Sequence, residues 1–494
     1  MRPEYYQDRW KEVSKSRDPE QIRSLAHRVA ANFLERYFYS DEYNESYIDL
    51  LCRMATCYSD PALDQITSKI LFSTVIERLC DDFEELQTET YNRVICQITG
   101  FLRTLAGGSA LHQQLNKLQL VSHSQLYERI ESIRLGPDEK LQADIKPRKI
   151  LVLSRITIGA DVAITTVITQ RLALAFPAAE IVVLGNGKLE QVFGPAAKVR
   201  IREVDYARHG GLLERFNTWL SLFKDVEEEL NGLGENEYVL LDPDSRLTQL
   251  GVLPLIPNSN YRFFNSRGKK EYPPKASISE LTNLWLDNIL GQGEFSFPRV
   301  WLQPQPQQTA SSLFEKLGDK HRVVTLNFGV GGNHRKMVPG SFESRLVVAL
   351  LRQPATRIIL DMGFGEEELQ RSTTILAAVK MAGFKVSQTT FSLIDQLPSD
   401  FDLLGVQCSV GEIAALIEQS DEFIGYDSAC QHIAAALGVK TYTVFAGTNN
   451  VKFIRRWHAC GPNTSEILFV DTLTRDTWID DDELIDRLLD LRQS

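Results

Sequence analysis

The chain has 494 residues, of which 43% are hydrophobic and 24% charged, and its formal net charge is −11. This length exceeds what one hydrophobic core supports, so we predict about two to four domains. The acidic balance excludes a general nucleic-acid binder, because there is no basic excess to neutralise phosphates. Seven cysteines without a CxxC pair and eight scattered histidines predict reduced thiols and no metal site.

The N-terminus is charged and lacks the apolar segment of a signal peptide. No apolar run approaches the about 18 residues that a membrane span needs. We therefore predict a cytoplasmic protein without a transmembrane segment, and leave peripheral contact with a membrane open.

Residues 1–134 are predicted to form an all-helical domain. Apolar residues recur there at helical spacing over 21–39, 66–86, 91–105 and 111–120. No chemical constellation accompanies them, so we expect this domain to mediate protein interaction or oligomerisation. The stretch 135–148, which contains glycine, prolines and charges, is predicted to be a linker.

Strands and helices begin to alternate at residue 149. The predicted strands are 149–154, 180–185, 199–204 and 237–241, and the predicted helices are 162–176 and 188–193. Such alternation is typical of a doubly wound parallel sheet, so 149–300 is predicted to be one α/β domain. The polar, proline-rich stretch 298–308 is predicted to connect it to the next domain.

A second α/β domain is predicted over 309–494. Its strands are expected at 322–328, 357–361, 422–426 and 440–445, and its helices at 340–351, 367–382, 411–419, 429–437 and 480–491. Ligands of such sheets bind beyond the carboxyl ends of the strands. The crevice between the two α/β domains is therefore the expected site.

The stretch 422–448 is predicted to form a strand, a short helix and a second strand. Asp427 and Ser428 are placed to cap the helix, because both side chains accept hydrogen bonds from first-turn N–H groups. The N-terminus of a helix at the carboxyl edge of a parallel sheet suits an anion. His432 lies about one turn inside the helix and could face the same crevice. The alternative is an ordinary buried unit with an ordinary cap.

Three stretches, in order, resemble the heptosyltransferase family, glycosyltransferase family nine. ILVLSRITIGADVAITTVITQRLALAFPAAEI (150–181) is similar to its opening strand, Ile-Gly-Asp turn and first helix. LNFGVGGNHRKMVP (326–339) is similar to its donor-phosphate loop, and YDSACQHIAAALGVKTYTVFAGT (426–448) to its Asp-Ser/Thr-Gly-x-x-His signature. The resemblance covers residues 149–490 and leaves out the helical N-terminus. It implies the α/β GT-B fold of two facing Rossmann-like domains, with 149–300 on the acceptor side and 309–494 holding a nucleotide-sugar donor.

The resemblance also implies the reaction. A sugar, heptose in this family, passes from a nucleotide-diphosphate donor such as ADP-heptose to a hydroxyl, with inversion and without a metal or other cofactor. The expected acceptor is a lipopolysaccharide-core glycan or, given the helical domain, a protein. Such a transfer needs a base for the acceptor proton and positive charge for the departing diphosphate. Asp161 is the candidate base, and its alternative role is a helix N-cap.

Donor binding is assigned to residues of two segments and one helix start: Gly331, Gly332, Arg335, Lys336, Glu366, Asp427, Ser428, Ala429 and His432. Lys336, or alternatively Arg335, would neutralise the diphosphate, and the two glycines would let the backbone approach it. Glu366 and Glu412 would contact the ribose or the base. The alternative for the loop that carries Lys336 is a mobile surface loop, and that for His432 is an ordinary half-buried histidine. The alternative for Glu366 and Glu412 is a role as solvated acids at helix starts.

Acceptor contact is assigned to Asp242 and Arg246. Both follow the predicted strand 237–241, and a carboxylate and an arginine at a strand's carboxyl end are well placed to meet a ligand. A structural turn is the alternative.

Four departures from the family's pattern stand out. Ala160 is inserted before Asp161, Ala429 replaces the signature glycine, the loop 329–336 is longer, and Ala446-Gly447-Thr448 replaces Gly-Pro-Thr. They motivate an alternative function, a catalytically silent GT-B module for binding or scaffolding. A further alternative is a nucleotide-sugar epimerase that shares the fold.

Overall fold

The computed structural model of the protein describes residues 2–80, 83–141, 145–206, 209–269, 272–318, 320–397, 400–474 and 479–493. It begins with an all-helical domain, as predicted. Its helices are α1 (Pro3–Ser16), α2 (Pro19–Ser40), α3 (Glu45–Met54), α4 (Pro61–Ile70), α5 (Glu85–Leu102), α6 (Ser109–Lys117) and α7 (His123–Leu135). The helix predicted over 66–86 instead ends near Leu79, and its residues 81 and 82 lie outside the described residues.

A five-stranded parallel sheet follows, in the order β3-β2-β1-β4-β5. Its strands are β1 (Lys149–Leu153), β2 (Glu180–Gly185), β3 (Arg200–Glu203), β4 (Tyr238–Asp242) and β5 (Tyr261–Phe263). Its helices are α8 (Ile158–Ala160), α9 (Thr166–Ala175), α10 (Leu212–Leu230) and α11 (Ile278–Leu290). Buried apolar residues fill both faces of the sheet, which explains why β1 and β2 are nearly continuous apolar runs.

The helical stretch Ile158–Ala175 runs through α8, a π-helical segment and α9. Among the described residues it is the one helix long and apolar enough to cross a membrane, and 72% of it is buried inside the protein. The bent pair of α5 and α6 passes the same test only when the two helices are taken together. The core of a folded domain accounts for apolar helices of this kind.

A seven-stranded parallel sheet forms the third part, in the order β12-β11-β10-β6-β7-β9-β8. Its strands are β6 (Arg322–Asn327), β7 (Thr356–Asp361), β8 (Val386–Thr390), β9 (Leu403–Gln407), β10 (Glu422–Tyr426), β11 (Lys440–Phe445) and β12 (Ser465–Phe469). Its helices are α12 (Pro304–Leu317), α13 (Phe342–Leu351), α14 (Glu366–Met381), α15 (Val410–Gln419), α16 (Ala429–Ala436), α17 (Val451–Arg456) and α18 (Asp481–Leu491). The predicted fold class, two Rossmann-like domains after an all-α domain, is confirmed.

The predicted connector 298–308 is wrong in its second half, because α12 begins at Pro304. Proline fits the first turn of a helix, where its missing N–H has no intrahelical partner to lose. Pro304 and Pro306 therefore lie in the first turn of a helix instead of an extended linker.

The three parts meet at the carboxyl edge of the second sheet. Helix α8 of the first sheet packs against α16 of the second. Phe83 of the helical domain lies 6.2 Å from the ring of Phe453 and 6.1 Å from that of Trp457, measured between ring centroids. The guanidinium of Arg456 donates to the carbonyl oxygens of Pro273 and Ala276 across the two sheets' domains. Residues of all three parts therefore pack together beside this edge.

Candidate active site

The N-terminus of α16 lies at the carboxyl end of β10, as predicted. Ser428 is the N-cap residue, but its side chain makes no capping hydrogen bond. Its hydroxyl instead lies 3.4 Å from Oδ1 of Asn327, the last residue of the neighbouring strand β6. The first-turn N–H groups thus have no side-chain cap and carry the positive end of the helix dipole. The prediction that Ser428 caps the helix through its side chain is wrong, and the site gains donors for an anion.

Lys336 and Asp427 form an ion pair beside this helix start. Lys336 Nζ lies 2.6 Å from Asp427 Oδ2, and the side chains are 25% and 8% exposed. The other carboxylate oxygen of Asp427 accepts a hydrogen bond of 2.7 Å from Gln431. Lys336 Nζ also lies 5.8 Å from the ring centroid of Phe453. The loop after β6 and the helix after β10 therefore bring one fixed cation to the helix N-terminus.

His432 is buried on the crevice side of α16, with its ring 5.9 Å from that of Trp457. Burial, followed by the positive charge of Lys336 and by His458, lowers the pKa of His432 to about 3. The imidazole is therefore neutral at physiological pH. A neutral imidazole offers one hydrogen-bond donor and one acceptor, but no charge.

The loop after β6 carries the other predicted phosphate residues. Gly331 and Gly332 adopt φ values of +59° and +81° and are exposed. Arg335 is exposed in the turn His334–Lys336. Gly447, which follows β11, has φ +76°, and a Cβ there would lie 2.1 Å from the carbonyl oxygen of Arg335. Only glycine at 447 lets this loop approach so closely.

A cavity of about 540 Å³ opens next to this loop. It is lined by Val330, Gly332, His334, Met337, Phe364, Gly365, Glu366, Glu367, Glu368, Gln370, Arg371 and Thr374. Glu366, a predicted ribose or base contact, is among them. Glu412 lies elsewhere, and its carboxylate accepts from the Ser409 N–H in the capping box of α15.

Two polar residues lie at the ends of neighbouring strands beside the predicted phosphate site. Asn327 ends β6 and donates a hydrogen bond of 2.7 Å to Oδ2 of Asp361, which ends β7. Burial raises the pKa of Asp361 to about 6. Neither residue was predicted from the sequence, although a polar residue at the end of a buried apolar strand indicates a ligand contact.

Asp161 is only 1% exposed and accepts three hydrogen bonds within its own domain. The donors are the Ser154 hydroxyl at 2.8 Å, the Arg155 N–H at 2.7 Å and the Thr165 hydroxyl at 2.7 Å. Burial raises the pKa of Asp161 to about 6, against the lowering effect of these hydrogen bonds. The carboxylate is thus turned toward the loop after β1.

A π-helical segment, Asp161–Thr165, follows Ala160. An extra residue in a helix produces this geometry, which agrees with the insertion of Ala160. The segment packs against α16, so Asp161 belongs to the wall of the crevice although its oxygens face inward.

The crevice is closed at this point. A Cβ added to Gly159 would lie 3.0 Å from the Ala429 Cα and 3.2 Å from the His432 Cδ2. Gly159 therefore allows the turn after β1 to lie directly against the start of α16.

This contact gives a first prediction, for the variant Gly159→Ala. Alanine is favoured in helices by about 1 kcal/mol, but overpacking a close contact costs about 1–3 kcal/mol. We expect the free energy of unfolding to fall by about 1 kcal/mol in urea titrations. A variant more stable than the wild type would contradict the close contact.

Asp242 and Arg246 are not brought to the crevice surface together. Asp242 is fully buried and accepts from the Ser245 N–H at 2.7 Å and the Tyr261 hydroxyl at 2.7 Å. Burial raises the pKa of Asp242 to about 6. Arg246 is half-buried in a turn. Its positive charge opposes the rise that burial causes in the pKa of Tyr91, a residue of the helical domain. Their acceptor role stays a prediction.

Comparisons with known proteins bear on the family and the fold. Residues 387–467 match the family model of Glycosyltransferase family 9 (heptosyltransferase). No curated protein sequence matches the chain. Among solved structures, a glycosyl transferase family 9 protein from Veillonella parvula superposes with a TM-score of 0.50 at 15% identity, over 71% of this chain and 99% of that one.

Two Escherichia coli structures are also similar. ADP-heptose lps heptosyltransferase II gives a TM-score of 0.47 at 13% identity, over 70% of this chain and all of that one. Heptosyltransferase WaaC with ADP gives 0.46 at 13% identity, over 70% and 99%. The family match and the Veillonella fold confirm the predicted resemblance to glycosyltransferase family nine.

Proposed function

We propose that the protein is a glycosyltransferase that takes a sugar from a nucleotide-diphosphate donor. The observation that carries the proposal is the Lys336–Asp427 pair beside the uncapped start of α16. A cation and free N–H groups at one point favour the negative charge that develops on a departing diphosphate. Because Lys336 and the helix supply this charge, we propose that the reaction needs no metal.

The order of the strands supports one orientation of the donor along the carboxyl edge of the second sheet. The ends of β10, β6 and β7 are adjacent in the sheet, with Gly425 paired to Asn327 and Asn327 to Asp361. Neighbouring strands lie about 4.8 Å apart, so this edge spans roughly 10 Å. We place the diphosphate over α16, the ribose over the loop after β6 and the base in the cavity after β7.

Asp161 is the proposed base. We propose that the two α/β domains part to admit the donor and close again, so that its carboxylate reaches the acceptor hydroxyl. The carboxylate must then also turn away from Ser154, Arg155 and Thr165, which hold it in this structure. A pKa of about 6 leaves the carboxylate mostly ionised at neutral pH, as a base requires. Attack by the activated hydroxyl opposite the diphosphate inverts the anomeric carbon. Family resemblance favours heptose and an ADP donor, with a glycan or protein acceptor in the cytoplasm.

The test is a turnover assay on the full chain with ADP-, UDP-, GDP- and CDP-sugars, ADP-heptose among them. We expect release of nucleoside diphosphate from one donor, accelerated by the correct acceptor. A donor that is converted to another nucleotide sugar without release would contradict transfer and support an epimerase.

A second candidate function is a catalytically silent module that binds a nucleotide. The inward position of Asp161 and the closed contact of Gly159 with Ala429 favour it. A silent module predicts nucleotide binding without release of nucleoside diphosphate from any of the donors. Transfer to any acceptor rules it out.

A further inference from the structure

Phe364 lines the cavity described above and is the most exposed phenylalanine among the described residues. Its side chain is 88% exposed although it lines the cavity. It lies between Gly363 and Gly365, which have φ values of +79° and +88°. A Cβ at Gly363 would lie 2.6 Å from Glu368, so the tight turn requires glycine there.

The backbone of this turn is fixed although the ring is exposed. The Gly363 N–H donates to Asp361 Oδ1 at 3.0 Å, and the Phe364 N–H donates to Glu368 Oε2 at 2.8 Å. Two carboxylates therefore hold the turn at the end of β7 and at the start of α14. An aromatic ring held on a rigid turn presents its face at low conformational cost.

The ring also meets the facing domain. Lys188 follows β2 in the first sheet, and its Nζ lies 5.7 Å from the centroid of Phe364. A cation over the ring is an attractive contact of modest strength. Phe364 thus stands where the two domains face each other, at the mouth of the cavity.

The cavity wall supplies acceptors. Glu366, Glu367 and Glu368 all line it, and carboxylates accept hydrogen bonds from hydroxyl and amino groups. A ribose offers hydroxyls, and adenine, guanine and cytosine each offer an exocyclic amino group, whereas uracil offers only its ring N3–H.

We infer that Phe364 is the stacking platform for the nucleobase of the donor and that the acidic wall selects a base with an exocyclic amino group. The inference rests on the proposed function, because it assigns the far end of the same donor. Stacking on the ring accounts for an apolar side chain that stays exposed on a fixed turn. Lys188 of the facing domain contacts the ring.

The test is calorimetric titration of the full chain and of Phe364→Ala with ADP, GDP, CDP, UDP and inorganic pyrophosphate. A base–aromatic stack contributes enough to predict a loss of about 5- to 150-fold in affinity for the best nucleotide. The affinity for pyrophosphate is expected to be unchanged, because it has no base. Phe364→Trp is expected to bind the nucleotide at least as tightly as the wild type. Met381→Ala is the matched control, since Met381 is 89% exposed at the other end of α14.

The outcomes distinguish a failure of the stacking role from a failure of the proposed function. A wild type that binds neither nucleotide nor pyrophosphate overturns both. A wild type that binds nucleotide while Phe364→Ala binds it equally well, or loses nucleotide and pyrophosphate alike, overturns the stacking role only. Preference for UDP overturns the selection by the acidic wall.

Discussion

Replacing Lys336 by alanine is expected to weaken donor and nucleoside diphosphate binding by about 100-fold, because a hydrogen bond to a charged group contributes about 1.5–3 kcal/mol. The loss has a second cause in the structure. Asp427 is nearly buried and faces the same helix start, so without Lys336 its negative charge repels the diphosphate. Calorimetric titration with the best-binding nucleotide measures the effect, and Lys336→Arg is expected to keep part of the affinity.

Lys385→Ala is the control for this variant. Lys385 pairs with Asp400 at 2.7 Å, but both side chains are largely exposed, at 64% and 74%. Removing such a pair changes stability by about 0–1 kcal/mol and removes no predicted ligand contact. Equal nucleotide affinity in Lys336→Ala, Lys385→Ala and the wild type would contradict the proposed diphosphate site.

Replacing Asp161 by asparagine is expected to lower kcat by about 100-fold or more, because general base catalysis contributes about 10²- to 10⁴-fold. The wild-type kcat/KM is expected to rise with pH through about 6, where Asp161 ionises. Asparagine keeps only one acceptor oxygen for the three donors that Asp161 satisfies in the wild type. We therefore expect a decrease of about 1–3 kcal/mol in the free energy of unfolding. Turnover and urea titrations measure the two effects separately.

The pH dependence of stability has a definite sign. Burial raises the pKa of Asp161 above its unfolded value, so the folded state holds its proton to higher pH. The stability of the wild type relative to Asp161→Asn is therefore highest below about pH 4 and falls as the pH rises through about 6.

Thr165→Val separates the base role from a structural role. It removes one hydrogen bond to Asp161 and keeps the carboxylate. The Thr165 hydroxyl lowers the pKa of Asp161, so its loss is expected to shift the rise of kcat/KM to higher pH while turnover persists. An Asp161→Asn protein that is less stable but turns over normally would contradict the base role.

The central unit of the second sheet could be predicted closely from the sequence. The strands β10 and β11 have the predicted bounds, because an apolar run, a polar pair, a small helix and a glycine define each boundary locally. The short strands β5, β8, β9 and β12 and the helices α10, α11, α12 and α17 were missed. Several of these strands are short or only partly buried, so their sequences carry little periodicity.

The directions of single side chains could not be predicted. One residue inserted into a helix rotates the following side chains by about 100°, and sequence alone does not show that Asp161 then turns inward. Asp242 ends a strand, as ligand-binding residues do, but the loop that follows folds over it and supplies its donors. The Ser428 hydroxyl donates to Asn327 at the end of another strand and does not cap its own helix. This contact joins residues far apart in the chain.

We infer that the carboxyl edge of the second sheet holds the nucleoside diphosphate of a sugar donor. A calorimetric titration of the full wild-type chain with ADP, UDP, GDP and CDP in turn decides whether it does. We predict saturable binding of one nucleotide, at one site per chain. Absence of saturable binding for all four nucleotides would contradict the claim.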